Sequence, residues 1–148
     1  MSPTNFIFFQ KEFPILFNIG MAAELNLHTD PITTLFKLRQ FGEKLSEILF
    51  EEHQLDFPLE NTFNNRIKTL EFEKVLPRTV GDFFFLLKDK GNIAVHQNRG
   101  TVEDAKHCLF SAFKLAKWFY ETYSQENATI DQIKFSIPEK RNVQSEIE

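Results

Sequence analysis

Apolar residues recur at intervals of three and four along almost the whole chain, and that spacing constrains the fold more than any other feature. It places them on one face of an α-helix, whereas a half-buried strand would alternate every second residue. The first run carries Phe13, Leu16, Phe17, Gly20, Ala23 and Leu27. Pro14 suits a first turn, so a helix is expected to start near Glu12 after a short lead-in. A second helix opens where Asp30 can cap and Pro31 fits the first position. Its stripe is Leu35, Leu38, Phe41, Gly42, Leu45, Ile48 and Leu49, running to about Gln54.

The stretch "LDFPLENTFNN" reads as a loop, followed by a short helix with Phe63, Ile67 and Leu70, in a region ended by Pro77. Val80, Phe84, Leu87, Gly91 and Ala94 form the next stripe. Gly100 is expected to break that helix and Thr101 to cap another, with Glu103 and Asp104 near its positive dipole end. Ala105, Cys108, Leu109, Ala112, Leu115, Ala116 and Phe119 make the last buried face, with Trp118 in the core or on its rim. From Glu126 the helical period is lost; a brief alternating piece gives way to charge. The expectation is an all-α fold: an antiparallel bundle of four to five helices over residues 5–124, then a flexible tail or linker over 125–148.

A chain of 148 residues suffices for one such unit with a real core. It contains 18 phenylalanines, and large rings need small residues opposite them. Gly20, Gly42, Gly91, Ala105, Ala112 and Ala116 lie on the inner stripes and meet that need. Gly91 costs roughly 1 kcal/mol of helix propensity relative to alanine, and a close helix crossing is the usual reason to accept this.

The net charge of −4 disfavours binding of a phosphate backbone over the whole surface and leaves room for a local basic patch. Cys108, the single cysteine, forms no intramolecular disulfide and falls on an apolar stripe, as a small buried hydrophobe would. This cysteine usage suits a reducing cytoplasm. No stretch reaches the ~18 apolar residues of a membrane span, so a soluble cytoplasmic protein without membrane contact is expected.

The candidate site is "KDKGNIAVHQN", Lys88 to Asn98. On a helix Lys88, Asn92 and His96 form one polar column beside the Gly91 and Ala94 stripe, and Arg99 extends it if the helix reaches that far. His96 could serve as a general acid or base, Asn92 could orient a substrate, and Lys88 and Arg99 could hold a phosphate. The alternative is structural: His96 hydrogen-bonds a neighbouring helix and Asn92 braces a loop. Arg39 and Glu43, at i and i+4, read either as a helical charge pair or as a phosphate clamp and a partner for His96. His28, His53 and His107 show no metal-ligand spacing, so no metal is expected. "KLAKWFYETY" interleaves basic and aromatic residues, which suits base stacking or a core rim. There is no phosphate-binding GxxxxGK[ST] loop, no GxGxxG and no GxSxG.

The segments "FIFFQKEFPILFNIGMAAELNLHTDPITTLFKLRQFGEKL", "KGNIAVHQN" and "AFKLAKWFYETY" resemble the N-terminal helical domain of type I restriction enzyme R subunits and related DEAD/DEAH-type helicase proteins. The resemblance covers roughly residues 5–124. It implies a non-catalytic accessory domain preceding nuclease and motor modules that this chain lacks, with 125–148 as the linker towards them. ATP and magnesium are expected only in those absent modules. The implied partners are the other subunits of a restriction-modification complex, and DNA through the parent protein.

The domain is also similar to the HEPN superfamily, whose ribonuclease members carry an arginine, a polar residue, three others and a histidine. Asn92 and His96 match that pattern, while Gly91 stands at the arginine position between Lys88, Lys90 and the histidine. The resemblance therefore also implies two alternatives. One is a ribonuclease or nucleotide-binding site using His96, Asn92 and Lys88, with Lys90 as a further cation. The other is a homodimerisation module.

Overall fold

A computed structural model describes residues 4–126 and 130–140. The expected all-helical bundle is what forms. After a single 3-10 turn, Ile7–Phe9, come five helices: α1 (Pro14–Asn26), α2 (Pro31–Glu52), α3 (Phe63–Phe72), α4 (Arg78–Gln97) and α5 (Val102–Tyr123). There is no strand among the described residues.

Local chemistry sets most of the starts. Pro14 is the first residue of α1, where its missing N–H costs nothing, so that helix begins two residues after the expected Glu12. The Asp30 side chain accepts the Thr33 N–H at the head of α2, and the Thr62 hydroxyl accepts the Asn65 N–H at the head of α3. Thr101 and Asp104 form a reciprocal capping box at the head of α5. Two of the expected stops differ. The second helix ends at Glu52, with Gln54 left-handed at φ 53°. The fourth ends with Asn98 left-handed at φ 51°, so Asn98 and not Gly100 is the breaker. Gly100 serves packing instead: a Cβ there would lie 2.4 Å from Leu35 Cδ1.

The core fills along α2, which packs against each of the other four helices. Phe6, Phe9, Phe41, Phe50, Phe84 and Phe119 are all fully buried. Gly20 accepts the Phe6 ring, and Gly42 accepts Phe63 and Leu87. Ala105, Ala112 and Ala116 are also fully buried, as their stripe requires. Trp118 is half-buried at the rim beside Tyr123.

Residues 127–129 and 141–148 of the expected tail lie outside the described residues. Between them, the alternating piece lies back across the bundle as a strap. Ile130 is buried, and Ile133 and Phe135 pack against the core. The Phe135 ring meets Phe110 and Phe113 at 5.0 and 5.5 Å. Asn5 grips the strap with its carboxamide, donating to the Ser136 carbonyl at 2.8 Å and accepting the Ser136 N–H at 2.9 Å. The Glu24 carboxylate holds that carboxamide in turn, and His28 Nε2 lies 2.7 Å from the Pro138 carbonyl.

Candidate functional site

The Lys88–Asn98 segment lies where α4 crosses α2, and Gly91 is the crossing point. A Cβ on Gly91 would fall 2.4 Å from Arg39 Cβ and 2.9 Å from its Cδ, so the arginine stem lies directly on the glycine. From there the guanidinium turns along α4, and Arg39 Nε donates to Asn92 Oδ1 at 2.8 Å. Arg39 also pairs with Glu43 one turn along α2.

Glu43 is shared. Arg66 from α3 approaches it at 3.8 Å, with its side chain only 5% exposed. Its Nε donates to Ser46 Oγ at 3.0 Å and its Nη1 to Asn61 Oδ1 at 2.9 Å. The Phe63 ring lies 5.8 Å from the Arg39 guanidinium and 5.9 Å from that of Arg66. Three helices are thus joined by a polar network in which two guanidinium groups share one carboxylate. A buried arginine is tolerable only when paired in this way.

The predicted column divides at this crossing. Asn92 turns to Arg39. Lys88, its side chain 15% exposed, donates to Asn64 Oδ1 of α3 at 2.8 Å and lies 3.1 Å from Asp89. His96 is exposed, and no described residue hydrogen-bonds its ring. Arg99 lies beyond the helix end, on the exposed loop beside a cleft of about 240 Å³ bordered by Lys90, Gly100 and Thr101. Lys90 pairs with Asp104 of α5 at 3.4 Å. Ala94 is buried on the core stripe. The structure therefore brings Arg39, Glu43 and Asn92 together and leaves Lys90 and Arg99 outside that network. Glu43 faces the two arginines.

Arg66, Ser46, Asn61 and Asn64 had no place in the sequence reading. Arg66 did leave a signal, since it shares the face of α3 with Phe63, Ile67 and Leu70. A charge on an apolar stripe marks a buried partner.

The other titratable groups serve packing and capping. Burial pushes the Cys108 thiol up to about 12, so it stays neutral. The Thr101 N–H and hydroxyl hold the Asp104 carboxyl below its ordinary range, with Lys90 adding to the effect. The Ser124 hydroxyl does the same for Glu12. His53 Nε2 lies 2.6 Å from the Tyr123 hydroxyl, and burial raises that phenol. Among the described residues no cluster of three or more His, Cys, Asp or Glu side chains could hold a metal, and no helix is long and apolar enough to cross a membrane.

The chain is similar to the endonuclease subunit of the type I restriction enzyme EcoKI from Escherichia coli (strain K12), with 29% identity over 170 aligned positions. The match covers 100% of the chain and 14% of that relative. No protein-family model matches the chain, and no solved structure matches it.

Proposed function

We propose that this chain acts as a non-catalytic accessory domain, the N-terminal part of the endonuclease subunit of a type I restriction enzyme. In this reading it contributes contacts to the other subunits, or to DNA, while ATP-driven translocation and cleavage belong to modules elsewhere in the parent. The observation that carries this reading is the similarity to the EcoKI endonuclease subunit, which runs through the whole chain yet spans only 14% of that protein. The chemistry at the α2–α4 crossing agrees with it. Arg39 bonds Asn92 and pairs with Glu43, and Arg66 bonds Ser46 and Asn61 beside the same carboxylate, so these groups are engaged within the protein, as structural groups are. The test is to mix the purified chain with the methylation and specificity subunits of its own system. Co-elution without nuclease or ATPase activity is expected. Turnover by the isolated chain would overturn the reading.

One observation favours a second reading, a ribonuclease or nucleotide-binding site on α4. The helix has Gly91 where such a site wants an arginine, yet the Arg39 guanidinium arrives from α2 and bonds Asn92, one turn before His96. Arg39 would then bind phosphate and His96 would move the proton. Incubation of RNA with wild type, His96→Ala and Arg39→Ala decides it. Cleavage lost in both variants supports this site, and equal background in all three removes it.

A further inference from the structure

A feature with no role so far is an open groove of about 980 Å³ between α4, α5 and the strap. Its apolar walls are Leu86 of α4, Phe110 of α5, and Phe135 and Ile137 of the strap. Phe110 and Ile137 are 43% and 52% exposed, so large apolar groups face water on both sides. The rim is polar but neutralised: Lys90 is paired with Asp104, and Lys106 with Glu103. Such a groove suits an apolar occupant better than a charged one.

The strap backbone adds a directional element. One carboxamide, that of Asn5, takes both the N–H and the C=O of Ser136. Those two groups point the same way only when the residue is extended, and its neighbours along the chain then point the opposite way. The Pro138 carbonyl keeps the alternation by reaching His28, in the turn that follows α1. By that alternation the N–H and C=O of Phe135 and Ile137 turn the other way, away from Asn5 and His28. Among the described residues none hydrogen-bonds them. Pro138, which has no N–H, sits where that lack faces His28 and leaves the edge at Phe135 and Ile137 intact.

We infer that the groove binds an extended peptide segment of a partner subunit. The segment adds as a strand to the edge at Phe135 and Ile137 and places alternate apolar side chains between Phe110 and Ile137. Backbone groups with no partner among the described residues, beside apolar walls, specify an extended chain, because a helix has already satisfied its own N–H and C=O groups. A second copy is the poorer occupant, because each copy carries −4 and two copies repel. The inference rests on the proposed function only for the source of the segment, since the groove chemistry stands without it.

The probe is a short acetylated peptide alternating valine and threonine, titrated to millimolar concentration into the full chain and followed by amide hydrogen exchange. Exchange should slow at Phe135 and Ile137 and stay unchanged at Ser136. Methylating the peptide nitrogens that face the strap should weaken binding by about tenfold or more, the loss of two net hydrogen bonds. Phe110→Asp and Ile137→Asp should abolish binding while Ser136 stays protected, which shows the strap still docked. Unchanged exchange at Phe135 and Ile137, or equal affinity for the methylated peptide, overturns the inference. Self-association in light scattering that Phe110→Asp removes would assign the groove to a second copy and overturn the partner. If the peptide binds but the chain fails to join a restriction complex, the proposed function alone falls.

Discussion

Gly91 and Arg39 depend on each other. Intrinsic propensity favours alanine over glycine inside a helix by about 1 kcal/mol. Here a Cβ would meet Arg39 Cβ at 2.4 Å. That atom lies next to the backbone and cannot swing aside as a side-chain tip would. Gly91→Ala is therefore expected to destabilise the protein by about 1–3 kcal/mol despite its better propensity, the usual cost of overpacking. Urea denaturation gives the sign, and a stabilised variant would show that the crossing is loose. The small residue on the stripe was legible in the sequence, because helical period is a local property. Its arginine was not, since the Arg39–Asn92 bond joins positions 53 apart. Arg39 and Glu43 were readable as a pair one turn apart. That Arg66 would share the carboxylate depends on where α3 lies, and no local pattern carries that.

Helix starts and stops differ in how readable they are. Starts rest on side chains that bond the backbone three residues on, as at Asp30, Thr62 and Thr101. Helices α1 and α5 end without a residue in the left-handed region, whereas the stops of α2, α3 and α4 rest on such residues, Gln54, Lys74 and Asn98. None is glycine, so α2 and α4 ended where the sequence had no obvious mark. The capping box of α5 yields a pH prediction. The Asp104 carboxyl is held below its ordinary value by the Thr101 N–H. A group with a lowered folded pKa stabilises above its unfolded value of about 3.9 and loses that contribution as pH falls through the folded value. Asp104→Ala should therefore melt lower than wild type at pH 6, by about 2–4 °C for a cap worth about 1 kcal/mol. The gap should close as pH falls below about 3.9. Thermal melts across that range check this, and a gap independent of pH would show that the charge is idle.

At the scale of the whole molecule, the strap belongs to the packed body. Ile130 is buried, and Phe135 contacts two α5 rings. The alternation over these residues was visible, but its docking depends on Asn5, at the other end of the chain. Truncation after Gln125 is expected to cost about 3 kcal/mol, given one fully and two partly buried large side chains. It should also expose Phe113 and cause self-association, measured by urea denaturation and light scattering. Unchanged stability would mean that the strap only rests on the surface.

The Asn5 clasp joins residues 131 positions apart, and that separation orders events in time. The five helices exist in the chain before Ser136 has been made. Synthesis at about 5–20 residues per second leaves the outer face of α5 uncovered for on the order of a second between Tyr123 and Ser136. During that interval Phe110 and Phe113 are open to whatever binds nascent apolar surface, and the newborn domain is a different object from the finished one.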